Sequence, residues 1–365
     1  EFLGYNSEAS QGVILSIVNI DKEIDSSNKN LDLALILNQT IFYGESGGQV
    51  GDTGYISNNN FKFEVTDTKK MFGDLYIHYG KLISGEIKKG DQADLKIDSV
   101  KRQNIRANHS ATHLLHESLR RTLGKHVSQK GAYVGPDRLR FDFSHNKPIS
   151  DDEMININNC VNKIIEQKSD VQTRLMTPKA AVAEGALALF GEKYGNTVRV
   201  VVADPNYSVE LCGGTHVMHT GMIGLLKITA ESAVAAGVRR IEALTGSNAF
   251  HFLNKQYIEL KTVAGLLKTQ DPIKAVEKLM LEKQETEKRL ESLETKQLQS
   301  IRDILLQKTK PISIGSEQGQ FIGEIVEVNS ADQLKKLCFD LKTGLSNHYL
   351  VVLCANIAGK AAVCI

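Results

Sequence analysis

The sequence predicts an α+β protein made of four consecutive segments. Three observations carry this reading. Short alternating runs punctuated by glycines fill the first hundred residues, helical spacing of apolar residues takes over at Ser99, and a heavily charged helical stretch later gives way to a strand–helix–strand pattern. The expected architecture is a small antiparallel β-barrel over 1–98 and an α+β domain over 99–246. A helical hairpin or short coiled coil over 247–310 and a partial α/β module over 311–365 follow.

In the first segment, runs at 13–18, 31–37, 61–65, 75–78 and 93–97 are strand-length and β-branched or alternating, and glycines such as Gly54, Gly73, Gly85 and Gly90 separate them. Residues 99–124 predict one helix, with Ile105, Ala111, Leu114, Leu115, Leu119 and Leu123 at helical intervals and Gly124 as its stop. A strand is expected near 138–143. A helix over 151–168 is announced by Ser150 and Glu153, the two halves of a capping box. A short helix at 180–189, a strand at 197–203 and glycine-broken strands from 209 to 241 complete the second segment. In the third, Val276, Met280, Leu290, Leu293, Ile301 and Leu305 form a heptad-like stripe interrupted by Lys283 and Glu287. Pro311 then breaks the chain. A strand at 321–328, a helix at 331–341 and a strand at 349–355 outline the last module.

Composition excludes several classes. Five scattered cysteines make no disulfide framework and predict a reducing cytoplasm. No apolar run approaches the roughly 20 residues that span a bilayer, so no membrane partner is expected. The net charge of +1 is unevenly spread: between Lys101 and Asn146 lie nine Lys/Arg against three acidic residues, with five of the ten histidines. Such a segment is a candidate contact for a polyanion, or a solvated basic face. The chain lacks an initiator Met and closes on 361–365, which resembles the middle of a buried strand. Both ends predict a piece of a longer protein.

His109-Ser110-Ala111-Thr112-His113 sets two imidazoles at i and i+4, on one face of a helix and within reach of a single ion. A helical pair of this kind is often incidental. Far downstream, Cys212-Gly213-Gly214-Thr215-His216 adds a thiolate and a third imidazole, with paired glycines that let the backbone turn tightly. Two preorganised donor pairs of nitrogen and sulfur predict a tetrahedral Zn²⁺ site, since magnesium and calcium prefer oxygen. A Cys212–His216 nucleophilic dyad is the alternative, but nothing nearby is arranged to hold the imidazole. His116 and His219 lie outside both pairs and are expected at the surface or behind the ligands. The segment from Thr40 to Gly54 holds six polar residues among five glycines, a pattern for a small polar pocket or for barrel turns.

These motifs together resemble a family. His109 to His116, Leu123-Gly124-Lys125-His126-Val127-Ser128-Gln129-Lys130-Gly131, Leu139-Arg140-Phe141-Asp142-Phe143-Ser144-His145 and Leu189-Phe190-Gly191-Glu192-Lys193-Tyr194-Gly195 are similar to the editing domain of bacterial alanyl-tRNA synthetases. So are Glu210-Leu211-Cys212-Gly213-Gly214-Thr215-His216-Val217 and Gly237-Val238-Arg239-Arg240-Ile241-Glu242-Ala243. The resemblance covers roughly 1–245, and the remainder looks like the C-terminal region of the same enzymes. Departures are Ala132 where the family often has Ser, Met222 where it often has Asp, and a missing glycine-rich close.

The resemblance implies an esterase that hydrolyses Ser-tRNA(Ala) and Gly-tRNA(Ala) within a synthetase whose aminoacylation domain is absent. It implies zinc held by His109, His113, Cys212 and His216, an editing site with Gln129, Thr112 and Thr40, and a tRNA acceptor end held by Arg239, Arg240 and Lys193. In the full-length protein it implies a homodimer formed through the C-terminal region. Four protein ligands fill a tetrahedral zinc, so either the ion expands its shell, or it organises the pocket while Gln129 and the terminal tRNA hydroxyl position the water. The second is preferred. Rival readings are a freestanding trans-editing deacylase and a non-catalytic tRNA-binding module with structural zinc.

Overall fold

The computed structural model describes residues 1–365 except 21, 29–30, 188–194, 316 and 347. It divides into two compact units, Glu1–Tyr257 and Ile258–Ile365.

The first unit begins with β1 (Ala9–Asn19), β2 (Asp32–Leu37), β3 (Gly54–Ser57), β4 (Phe61–Met71), β5 (Leu75–Gly85) and β6 (Gln92–Ile97). Every pairing is antiparallel, in the order β1-β2-β5-β4-β3-β6, and β6 returns to β1. The barrel closes because β1 is long enough to serve two neighbours: residues 9–13 pair with β6 and residues 14–18 with β2. Period-2 alternation fills the interior. β6 buries Ala93, Leu95 and Ile97, which meet Leu33 and Leu35 of β2 and Phe61, Phe63 and Val65 of β4. The predicted strands match observed ones, the run at 31–37 starting one residue early, but β4 and β5 are much longer, forming one hairpin that turns at Phe72 and Gly73.

Helix α1 (Ser99–Leu123) starts where the Asp98 carboxylate accepts the Lys101 amide and stops at Gly124, whose φ of 119° suits a residue without Cβ. Then come β7 (Gln129–Val134), β8 (Leu139–Ser144), α2 (Asp151–Gln167), β9 (Gln172–Met176), α3 (Pro178–Ala183), β10 (Val198–Asp204), β11 (Ser208–Leu211), β12 (Leu226–Ala235) and β13 (Val238–Thr245). The capping box at Ser150 and Glu153 forms in full. One antiparallel sheet runs β7-β8-β13-β12 and a second β9-β10-β11. Leu114, Leu115 and Leu119 of α1, Ile157 and Val161 of α2, and Phe141, Phe143 and Ile241 of the sheet share one core. The short helix ends at Ala183, because Gly185 takes a φ of 84°.

Arg102 on the second turn of α1 is fully buried. Its Nε lies 2.9 Å from both oxygens of Asp52, Nη1 donates to the Gly4 carbonyl at 2.8 Å and Nη2 to that of Ile41 at 2.9 Å. Asp52 also accepts the Tyr43 amide at 2.6 Å. Part of the basic excess between Lys101 and Asn146 is consumed by acids outside that window, Asp52 at Arg102 and Glu8 at Arg106, while Arg120 and Arg121 pair with Glu117, Arg138 with Asp137 and Arg140 with Asp142, the three acids within it. The candidate polyanion face is therefore narrower than the sequence count implies.

Helix α4 (Gly246–Leu266) crosses the division between the units, and α5 (Pro272–Gln307) lies wholly in the second, with Asp271 as its N-cap. The stripe does not act as a single seam within this chain. Val276, Met280, Leu290 and Leu293 are exposed, whereas Ile301 and Leu305 pack into the core of the last module. That module contains β14 (Lys310–Ile314), β15 (Glu317–Ile325), α6 (Ala331–Leu341), β16 (Tyr349–Ile357) and β17 (Lys360–Cys364). The central pair β15–β16 is parallel, crossed over by α6, and both flanking pairs are antiparallel. Pro311 sits on the edge strand β14, where a missing N–H is tolerated. Residues 361–364 form the other edge and are half exposed or exposed, not the middle of a buried strand. Among the described residues no helix is long and apolar enough to cross a membrane.

Two predictions follow from buried charge. Asp52→Ala leaves the Arg102 guanidinium buried without its countercharge, and the loss of a buried partner costs about 3–5 kcal/mol. Urea unfolding of the variant checks this; a loss under about 1 kcal/mol rejects it. His78, inside the barrel, donates Nδ1–H to the Leu35 carbonyl and accepts the Thr40 hydroxyl at Nε2, 2.7 Å away. Burial pushes its pKa down to about 4. Because the folded value lies below the unfolded one, this contribution is complete above pH 6.5 and is lost as the pH falls towards 4. It amounts to about 3 kcal/mol. Urea midpoints compared across that window should fall more steeply for the wild type than for His78→Gln; equal slopes would contradict the assignment.

Candidate metal centre

One helical turn separates His109 from His113 on α1, and both rings are buried. The other donors come from the loop after β11. The Cys212 amide donates to the Arg199 carbonyl, the last ladder bond of that sheet, and the chain then turns through Gly213 and Gly214 to reach His216. A Cβ at Gly214 would overlap the His109 ring, so only glycine lets the loop pass. Cys212 Sγ lies 3.4 Å from His109 Nε2 and 3.3 Å from His216 Nε2, and the four donor atoms of His109, His113, Cys212 and His216 fall within 4.8 Å of one another. Zn–S and Zn–N bonds at tetrahedral angles separate sulfur from nitrogen by about 3.5 Å. The donor set therefore fits zinc in both chemistry and spacing.

Two of the imidazoles are hydrogen-bonded from behind through Nδ1, and the third has a carboxylate beside its Nδ1 without a formed hydrogen bond. His109 Nδ1 meets Gln49 Oε1 at 2.7 Å, His216 Nδ1 meets Ser110 Oγ at 3.1 Å, and His113 Nδ1 stands 3.3 Å from Glu210 Oε2. Gln49 can be oriented without ambiguity. The Thr215 amide can only donate, and it points at Gln49 Oε1 from 2.9 Å. That oxygen is thus an acceptor, His109 Nδ1 must carry the proton, and Nε2 keeps its lone pair toward Cys212. Fixing the tautomer through a partner behind the ring is characteristic of metal-binding histidines.

The thiol of Cys212 is held well below its usual range: burial opposes ionisation, but His109, His216 and His113 outweigh it. His113 is pushed up to about 9, against burial, by Glu210 and Cys212. His216 is pushed down to about 3 by burial. Glu210 stays below its ordinary value because His113 and His116 overcome its desolvation. His116 is buried behind the ligands, 3.1 Å from Glu210 Oε1.

A cavity of about 170 Å³ opens onto this cluster, walled by Tyr43, Ser46, Gly47, Gln129 and Leu211 as well as His109, His113 and Cys212. Gln129 thus shares the cavity with His109, His113 and Cys212, and its side chain makes no hydrogen bond to another described residue. Thr40 and Thr112 are not on the wall. The Thr40 hydroxyl is engaged by His78 and accepts the Phe42 amide at 3.0 Å, while Thr112 donates to the Asn108 carbonyl of its own helix at 2.8 Å. Arg239 pairs with Glu231, and Arg240 forms a two-pronged pair with Asp142 at 2.7 and 2.8 Å, both on the β7-β8-β13-β12 sheet. Lys193 lies outside the described residues. Sequence reasoning did not single out Gln49, Ser110 or Glu210. Gln49 had a faint signal, lying within the glycine-rich segment marked as a pocket.

The family profile described as class II (A) tRNA synthetases matches residues 1–101, and that of the threonyl and alanyl tRNA synthetase second additional domain matches residues 198–242, the stretch that contains Cys212 and His216. The alanine–tRNA ligase of Mesorhizobium japonicum (strain LMG 29417 / CECT 9101 / MAFF 303099) is 46% identical over 379 residues, covering 100% of this chain and 42% of that protein. The alanine–tRNA ligase of Rhizobium meliloti (strain 1021) is 45% identical over 373 residues, 99% of this chain and 42% of that protein. This chain thus spans less than half the length of either relative. On this similarity along its whole length, the chain belongs to the alanyl-tRNA synthetase family.

Proposed function

We propose that the metal centre is the editing site of an alanine–tRNA ligase, hydrolysing the esters of Ser-tRNA(Ala) and Gly-tRNA(Ala) in the cytoplasm. The observation that carries this is Gln129, a half-buried amide on the cavity wall without a hydrogen-bond partner among the described residues, beside a thiolate and three histidines, two of them fixed through Nδ1. The need is physical. A pocket built for alanine cannot strongly reject glycine, which is smaller, or serine, which adds one hydroxyl, so a second site must remove the errors.

His109, His113, Cys212 and His216 hold zinc, which when bound supplies a fixed positive field and rigid cross-links between α1 and the cysteine loop. Gln129 and the terminal tRNA hydroxyl position the attacking water: the Gln129 carbonyl accepts a hydrogen bond from it and the NH₂ group donates one toward the ester. Thr40 and Thr112 act through the backbone they hold, Thr40 by fixing the Phe42 amide ahead of Tyr43. The acceptor end of tRNA is held by Arg239, Arg240 and Lys193, the first two prealigned by their carboxylates. Exposed Val276, Met280, Leu290 and Leu293 on α5 support a homodimer of the full-length protein through its C-terminal region. The complete four-ligand set also suits a structural zinc in a tRNA-binding module that does not catalyse.

Deacylation separates these readings. This chain, incubated with Ser-tRNA(Ala) and Ala-tRNA(Ala), should release serine quickly and spare alanine. Gln129→Ala should lower kcat by one to two orders of magnitude with little change in KM, as expected of a group that acts on the reacting water. Tight tRNA binding without serine release would favour the structural module. Elemental analysis should find one zinc per chain, and none in Cys212→Ala.

A further inference from the structure

We propose that Tyr5 and Arg199 are positioning residues of the metal centre, which together grip the three successive carbonyls of Cys212, Gly213 and Gly214 and so fix the direction of the Cys212 sulfur. This rests on the reading of the cluster as a metal site.

The loop presents a problem that its own sequence does not solve. Beyond the Cys212 amide the β-ladder ends, and Gly213 and Gly214 have no side chains to pack, so nothing local restricts the backbone that carries the thiolate. The restraint is imported from two distant segments. Arg199, on β10, donates through one Nη to the Cys212 carbonyl at 3.2 Å and to the Gly214 carbonyl at 2.6 Å. Tyr5, from the segment ahead of the barrel, donates its hydroxyl to the Gly213 carbonyl at 2.7 Å. The Tyr5 ring lies against the guanidinium, 4.1 Å from centroid to carbon, and Thr173 Oγ1 takes the other Nη at 3.2 Å. Tyr5 is itself kept in place by Phe2, edge-on at 4.9 Å.

With its carbonyls turned outward to these donors, the loop turns its amides inward. Gly214 N–H points at Cys212 Sγ from 3.4 Å and Thr215 N–H at Gln49. Both inward bonds serve the site, one on the thiolate and one on the chain that sets the His109 tautomer. Among the described residues no carboxylate acts on Arg199; burial lowers its pKa, while Tyr5, Cys212 and Tyr43 oppose that shift. A guanidinium held by carbonyl dipoles and a ring, rather than by an acid, is an arrangement for shaping a loop and leaves its positive field on the thiolate.

Metal affinity of the whole chain tests this, with no reference to turnover. Tyr5→Phe deletes one oxygen and keeps the ring against Arg199, so it leaves folding intact. Arg199→Lys keeps the charge but not the fork. Partners behind metal ligands change affinity by about 10–100-fold. Competition with a chromophoric chelator should show zinc bound about tenfold more weakly by Tyr5→Phe and nearer a hundredfold by Arg199→Lys. The thiolate-dependent absorption of the cobalt-loaded protein should shift in both. If both variants match the wild type in zinc affinity and cobalt spectrum, the positioning role is wrong while the metal site stands. If the wild-type chain takes up neither ion, the metal reading itself fails and carries this proposal with it.

Discussion

The guanidinium of Arg102 and the carboxylate of Asp52 meet in an interior from which water is excluded. Desolvating two such charges costs several kcal/mol each, and the pair survives only because its hydrogen-bonding groups are matched. Asp52 fills the Nε side, Gly4 and Ile41 take the two Nη groups, and Asp52 in turn accepts the Tyr43 amide. Two segments far apart in sequence, the one around Gly4 and the one from Thr40 to Gly54, are thereby fastened to the first turns of α1. Seven residues further on, two turns and about 10 Å up the helix, His109 meets Gln49, which comes from the same 40–54 segment as Asp52. The segment is bolted to one helix face at two points, and the clustered histidines inherit their geometry from that double attachment.

The second attachment transmits more than position. A backbone amide at Thr215 decides which end of Gln49 faces His109, and Gln49 decides which nitrogen of His109 is bare. The cysteine loop therefore helps set the protonation of a ligand it does not contain. On the other side, Glu210 stands between His113 and His116 and so ties a strand end to the opposite edge of the helix. The cluster is held by polar groups from four different elements, so its rigidity belongs to the tertiary fold and not to the helix alone.

This division explains what the sequence could and could not disclose. The four donors were legible because each pair is local: i and i+4 on a helix, and two residues flanking a glycine turn. Strands were legible wherever alternation spanned five residues, as at Ala93, Leu95 and Ile97, and illegible at β3, which is only four residues long and follows a glycine-rich segment. The partners Gln49, Ser110 and Glu210 were hidden because nothing in a Gln, Ser or Glu signals a distant imidazole. The basic window misled for the same reason, since Asp52 and Glu8, which neutralise Arg102 and Arg106, lie well outside it. The α5 stripe showed helical spacing, but spacing alone does not say which turns have a core to meet: Ile301 and Leu305 do, and Met280 does not.

On the editing reading, the cavity wall also has to explain why one site accepts both serine and glycine yet spares alanine, which is intermediate in size. Size alone cannot order the three that way. Unpaired polar groups can. Gln129 lines the cavity, half-buried and without a hydrogen-bond partner among the described residues, so an empty cavity holds water on it. The serine hydroxyl replaces that water bond for bond. Glycine leaves the water in place. The methyl of alanine displaces it and offers nothing in return, stranding the Gln129 amide beneath the bound substrate at about 1–3 kcal/mol, or roughly five- to 150-fold in rate. Discrimination of this kind needs walls that do not relax around the methyl, and the double attachment of the 40–54 segment to α1 supplies that stiffness.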